Sequence, residues 1–280
     1  MNASLVAAKI ALGPVLLPQA RWLKRTALRL PEAVGAREGI EGEGDLRLRL
    51  LVVGDSSAAG VGVAEQAQAL ALPLAARLAH LLGGTVAWQL AAQTGINTAQ
   101  ARDWIARLPL HDADVVVTAL GVNDVSSQAT AASFVHETGL LWSELRELTG
   151  ARWAVISGLP PMHMLRAVPH PLRWYLGRYA AWLDAAICRW AGAQRLGYLP
   201  LQWASDPASL AEDGFHPGPA LYPQWAERLA DLIVQRRADW TSVRPELSPV
   251  RPELSPVRPE LKPVRPELKP VRPELVEGPR

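Results

Sequence analysis

A serine hydroxyl is a poor nucleophile until a neighbouring base takes its proton. Gly54-Asp55-Ser56 places such a hydroxyl, on Ser56, directly after the apolar run of residues 48 to 53. A histidine can serve as the base if a carboxylate fixes its tautomer and stabilises the imidazolium. Asp213 and His216 stand three apart in Glu212-Asp213-Gly214-Phe215-His216-Pro217, so one tight loop can carry both. Acyl transfer also needs donors aimed at the tetrahedral oxyanion. Three are available: the N–H of Ser56, the N–H of Gly95 in Gln93-Thr94-Gly95-Ile96-Asn97, and the amide of Asn123 in Gly121-Val122-Asn123-Asp124. Gly95 has no side chain to block close approach of a substrate. Asp55, Gly121 and Asp124 are supporting residues, the two aspartates holding their loops by hydrogen bonds. The small residues after Ser56 let the chain turn and leave room for an ester above the hydroxyl.

A phosphate cradle at Gly54–Gly60 needs the lysine and hydroxyl of a G-K-[ST] motif, and no lysine occurs between Arg25 and Lys262. Asp213 and Asn123, each taken alone, suit a helix cap or a turn. A turn serine at Ser56 leaves the other three motifs unexplained. The rival histidines are His80 and His136 in helical or surface stretches, His111 in a loop, and His163 and His170 after the fourth strand. The apolar loop holding the last two, with Met162, Met164, Leu165, Val168 and Trp174, either lines an acyl pocket, closes as a lid, or packs on the next helix.

The elements that must position these groups alternate. Strands are predicted at 46–54, 85–91, 114–120, 152–158 and 196–201. Helices are predicted near 64–82, 98–108, 130–149, 174–194 and 219–238. Such alternation implies a three-layer α/β/α sandwich, with about five parallel strands and helices on both faces. In an open parallel sheet, ligands bind outside the carboxyl ends of the strands, where strand order reverses. The loops carrying Ser56, Gly95 and Asn123 each follow a predicted strand, so they gather at one edge.

The expected organisation is an apolar helix over 1–30, a Gly- and Glu-rich linker over 31–45, the catalytic domain over 46–240 and a tail over 241–280. In the tail VRPEL recurs at 243, 250, 257, 264 and 271. Proline at two of every seven positions forbids regular helix or strand there. The tail is expected to be disordered, with polyproline character and no part in the chemistry.

The formal charge of +2 gives no pointer to nucleic acid, and Cys188 alone allows no intrachain disulfide. Residues 3–20 are apolar but interrupted by Lys9, Pro14 and Pro18, short of the roughly 20 residues a spanning helix wants. They lack the basic start and cleavage site of a signal peptide. Arg21, Lys24, Arg25 and Arg29 follow on the side that would stay cytoplasmic. The segment reads as a helix on a membrane surface, a weak anchor, or a helix packed on its own domain. A location in the cytoplasm or peripheral to the cytoplasmic membrane is favoured over secretion.

Taken together, the four motifs resemble those of the SGNH hydrolases, the GDSL-type esterases and lipases. Gly54-Asp55-Ser56 matches the first block, Gly95 the glycine block, Gly121-Val122-Asn123-Asp124 the G-x-N-D block and Asp213-Gly214-Phe215-His216 the D-x-x-H block. The resemblance covers about residues 47 to 235; Ser57 stands where the family's name has leucine. It implies a flavodoxin-like sandwich and a serine esterase without metal or other cofactor, acting on small-molecule or lipid esters through an acyl-enzyme. Ser56, Asp213 and His216 are the implied triad. On the same site the resemblance also allows a thioesterase, a lysophospholipase or a carbohydrate deacetylase. A different class of reading is a non-catalytic module that binds acyl chains or a membrane.

Overall fold

The computed structural model of the chain describes residues 3–241, so the VRPEL repeats lie outside the described residues. Helix α1 (Ala3–Thr26) is followed by strands β1 (Glu38–Glu41) and β2 (Leu46–Gly54). Then come α2 (Ala71–Leu82), β3 (Thr85–Ala92), α3 (Thr98–Ile105), β4 (Val115–Ala119), α4 (Val122–Ser126), α5 (Ala131–Thr149) and β5 (Trp153–Ser157). The series closes with α6 (Leu172–Ala193), β6 (Gly197–Leu199), α7 (Leu221–Gln235) and α8 (Arg237–Thr241).

The sheet order is β1-β3-β2-β4-β5-β6, with every pairing parallel except β1 on β3. Strands covered on both faces need continuous apolar runs rather than alternation. Accordingly every residue of β4 and β5 is buried, as is β2 from Leu50 onward. Helices cover the faces through stripes at helical spacing. In α2 the buried stripe is Ala71, Leu74, Ala75, Leu78, Ala79 and Leu82, packed against α7. On another side α5 packs against α3 and α6. The sheet and its helices form the expected three-layer α/β/α sandwich.

The strand order reverses between β2 and β4: the chain goes outward from β2 to β3, then returns to add β4, β5 and β6 on the other side. A crevice opens at such a point, outside the carboxyl ends. The Ser56 loop leaves β2 there and the Gly121–Asp124 loop leaves β4 beside it.

Two sequence expectations need correction. Residues 31–45 are not a linker, because β1 lies within them, antiparallel to β3 with Ile40 opposite Ala87. Being an exposed edge strand, β1 needs no buried face, and only Ile40 of its four residues is apolar. The same segment also bonds to the body through Val34 and Gln66, whose buried side chain donates to Ala33 O and Ala59 O. The helix expected from 64 begins only at Ala71; residues 66–68 form a single 3₁₀ turn. Pro73 near its start is tolerated because first-turn N–H groups have no intrahelical acceptor.

Candidate active site

Ser56 lies just past the carboxyl end of β2, only 9% exposed. Its Oγ is 2.9 Å from His216 Nε2, and His216 Nδ1 is 2.5 Å from Asp213 Oδ2. Asp213 Oδ1 accepts from the backbone N–H groups of Phe215 and His216 at 2.9 and 3.0 Å. Burial opposes charge on the Asp213 carboxyl, but the His216 ring and these N–H groups outweigh it and hold its pKa below the ordinary value. An ionised carboxylate can only accept, so Nδ1 carries the proton and Nε2 presents its lone pair to the Ser56 hydroxyl. The three side chains come from loops 160 residues apart in sequence.

The Ser56 loop is braced from several sides. The Asp55 N–H donates to Ala119 O of β4, and the Val61 N–H donates back to Ser56 O. Tyr222 of α7, fully buried, donates to Val61 O at 2.8 Å. Asp55 Oδ1 accepts from the N–H and hydroxyl of Ser57, and Oδ2 accepts from Asn123 Nδ2 at 3.2 Å. Burial pushes the Asp55 carboxyl up in pKa, against the pull of those bonds. Asp124 Oδ2 accepts from the N–H and hydroxyl of Thr98, tying the β4 loop to α3. Burial raises Asp124 to about 6, with the nearby Asp55 charge pushing the same way. Gly121 caps α4 with φ +122°, and a Cβ there would come within 2.6 Å of Leu159 Cδ2.

The oxyanion candidates differ in state. Among the described residues, the N–H groups of Ser56 and Gly95 meet no acceptor. Asn123 spends one amide hydrogen on Ile96 O at 2.9 Å and directs the other to Asp55. Gly95 is exposed with φ +84°, and a Cβ there would meet nothing within 4 Å. The turn holding it is anchored by Glu32, which sequence reasoning missed: its Oε1 accepts from the Thr94 N–H at 2.8 Å and the Thr94 hydroxyl at 2.6 Å.

An apolar pocket opens from Ser56 and His216. The loop after β5 supplies Leu159, Met162, Met164 and Leu165 to its wall. Trp203, Leu210 and Phe215 also line it, with Trp225 of α7, whose Nε1–H donates to Ser157 Oγ. Trp203 and Trp225 were not expected there, and no local signal marks them, since each comes from a different element. Val168 is buried outside the lining and Trp174 lies on the surface of α6. Neither Gly95 nor Asn123 lines this pocket, so of the three donor candidates only Ser56 borders the apolar wall. The small residues after Ser56 do not open space above it. Ala58 and Ala59 are fully buried, and a Cβ on Gly54 would lie 2.4 Å from Ala58 Cβ. The rival histidines stay away: His111 bonds Glu38 of β1 at 3.0 Å, and His163 packs on Gly177 of α6. Among the described residues no group of three or more His, Cys, Asp and Glu is placed to hold a metal.

A doubly wound sheet with a hydrogen-bonded Ser–His–Asp series at its switch point has the architecture of the SGNH hydrolases. Residues 52–240 match the GDSL-like lipase/acylhydrolase family, and the chain belongs to it. No curated protein matches the sequence. Among solved structures, the psychrotrophic esterase EstA from Pseudoalteromonas sp. aligns at 17% identity over 68% of this chain and 98% of that one, with TM-score 0.52. TesA aligns at 23% identity over 66% and 97%, with TM-score 0.53. Est24, a carbohydrate acetylesterase from Sinorhizobium meliloti, aligns at 17% over 68% and 100%, with TM-score 0.50. At these identities the likeness is one of fold.

Proposed function

We propose that this chain is a serine esterase that cleaves carboxylic esters through an acyl-enzyme. The observation that carries the reading is the unbroken series from Ser56 Oγ through His216 to Asp213, at 2.9 and 2.5 Å. His216 Nε2 takes the Ser56 proton as Oγ attacks the ester carbonyl, and Asp213 stabilises the imidazolium that forms. The oxyanion is held by the free N–H groups of Ser56 and Gly95 and by Asn123, whose amide exchanges its 3.2 Å bond to Asp55 for one to the oxyanion. His216 then gives the proton to the leaving alcohol, and water attacks the acyl-enzyme with His216 again as base.

The apolar pocket supports an acyl group longer than acetyl, since its wall offers a hydrocarbon chain contacts and a sugar few partners. That favours an acyl esterase, thioesterase or lysophospholipase over a carbohydrate deacetylase on the same site. A p-nitrophenyl ester series from acetate upward, run on wild type and Ser56→Ala, tests this. Turnover should rise with chain length before falling, and Ser56→Ala should lose about 10⁴-fold or more. A wild type that hydrolyses no ester and resists fluorophosphonate labelling sinks the proposal.

A further inference from the structure

Helix α1 lies outside the family-matched region 52–240, and only one of its sides is used by the fold. Leu5 and Leu16 are buried, and the helix packs on α6. Gln19 clasps the start of α6, donating to His170 O at 2.6 Å and accepting from the Leu172 N–H at 3.1 Å. The rest of its circumference is open: Ile10 is 74% exposed and Leu17 60% on one flank, and Trp22 54% on another. At about 100° per residue, Ile10, Leu17, Arg21 and Lys24 fall in one arc of roughly 60°, centred about 120° round the helix from Leu5 and Leu16. Trp174, on the first turn of α6 beside the Gln19 clasp, is also exposed.

The charge of this segment is one-sided. Residues 1–31 carry five basic side chains and no acidic one, whereas residues 32–242 carry 16 basic and 21 acidic. Lys9, Arg21, Lys24, Arg25 and Arg29 are all exposed, and among the described residues none forms an ion pair. Among the described residues no helix is long and apolar enough to cross a membrane.

We propose that α1 lies in the surface of an anionic phospholipid bilayer, its exposed apolar residues at the acyl boundary and its cations on the lipid phosphates. Apolar exposure alone would suit several occupants, and the charge selects among them. A second copy across a two-fold axis would set these same cations against each other. An anionic lipid surface neutralises them, while Ile10 and Leu17 take the place that apolar residues of an interfacial helix occupy at the acyl boundary. The helix then lies on the membrane rather than through it. Because α1 rests on α6, and the loop entering α6 walls the pocket, docking brings that wall to the lipid; this consequence, unlike the docking, rests on the esterase reading.

The full chain should be sedimented with vesicles of phosphatidylcholine alone and of phosphatidylcholine mixed with phosphatidylglycerol. Binding to the mixed vesicles, released by high salt, is expected. The triple variant Arg21→Gln, Lys24→Gln, Arg25→Gln should partition about a hundredfold more weakly, from about fivefold per cation near an anionic surface. The pair Ile10→Ser, Leu17→Ser should weaken binding independently of salt. Both variants should keep the wild-type rate on soluble p-nitrophenyl acetate, which shows that they fold. The proposal is overturned if wild type ignores the mixed vesicles, if neither variant changes binding, or if wild type is a dimer that the serine pair dissociates without lipid binding. Vesicle binding by a chain inactive on every ester would uphold docking and remove the esterase reading instead.

Discussion

Glu32 grips Thr94 through a single oxygen, accepting from both its backbone N–H at 2.8 Å and its hydroxyl at 2.6 Å. The next residue is Gly95, whose N–H is an oxyanion candidate. Glu32 is itself held by an ion pair with Arg37, which also donates to Ala92 O at the end of β3. A buttress from outside the family-matched region thus fixes a loop inside it. Glu32→Ala should lower kcat on p-nitrophenyl esters about tenfold to a hundredfold with KM little changed, because a displaced donor is felt in the transition state. An unchanged kcat would remove Glu32 from the set of positioning residues.

Asp55 and Asn123 should behave as one unit. On the proposed mechanism Asn123→Ala removes an oxyanion donor, with an expected loss of about 10²–10³ in kcat. Asp55→Ala leaves the Asn123 amide without its second anchor and should cost less. If Asp55 acts through Asn123, the double variant is no slower than Asn123→Ala alone. Losses that multiply in the double-mutant cycle would show that the two act separately.

Asp124 makes stability depend on pH in an uncommon direction for a carboxyl. Its folded pKa is about 6, against about 3.9 in an unfolded chain. Between those values the folded state holds a proton that the unfolded state has released, so this group's contribution to stability falls as pH rises. The change is about 3 kcal/mol, complete a little above pH 6. Asn at this position keeps an oxygen for Thr98 and cannot titrate. Urea unfolding should therefore show wild type losing stability relative to Asp124→Asn from pH 4 to pH 6.5; curves that stay parallel would contradict this.

Gly62 sets the distance between the two halves of the relay. It has φ +107°, and a Cβ there would lie 2.2 Å from Pro217 O, one residue past His216. Gly62→Ala must push the His216 loop away from the Ser56 loop, besides straining its own backbone by about 1–3 kcal/mol. The expected result is a fall in kcat of tenfold or more, about the cost of an ångström's misplacement or less, with a lower melting temperature. A drop in melting temperature with full activity would show that the strain is absorbed elsewhere.

How much of this was legible in the sequence depended on where the information lay. The strand 46–54 is legible because its second half, Leu50 to Val53, is the unbroken apolar run that a central parallel strand needs, and Ser56 stands out as the first hydroxyl after it. Asp213 and His216 were legible because one short loop holds both. Glu32 was hidden because its partner is 62 residues away and its neighbours look like a turn. Strand β1 was hidden because an edge strand carries no alternation, and α4 because five residues show no period. The pocket wall, with Trp203 and Trp225, is assembled only when α7 meets the loops after β5 and β6. Motifs that are local in the chain were readable; contacts made across the fold were not.

The rims of the sheet carry one further consequence. Strand β1 has four residues, with a glutamate at each end, and β6 on the far side has three. An exposed strand offers unpaired N–H and C=O groups to any neighbour, and length and flatness make that offer dangerous. Here one rim is short and anionic and the other is shorter still, so copies meeting edge to edge find little ladder to extend. The segment that looked like a linker is, in this respect, the molecule's guard against aggregation.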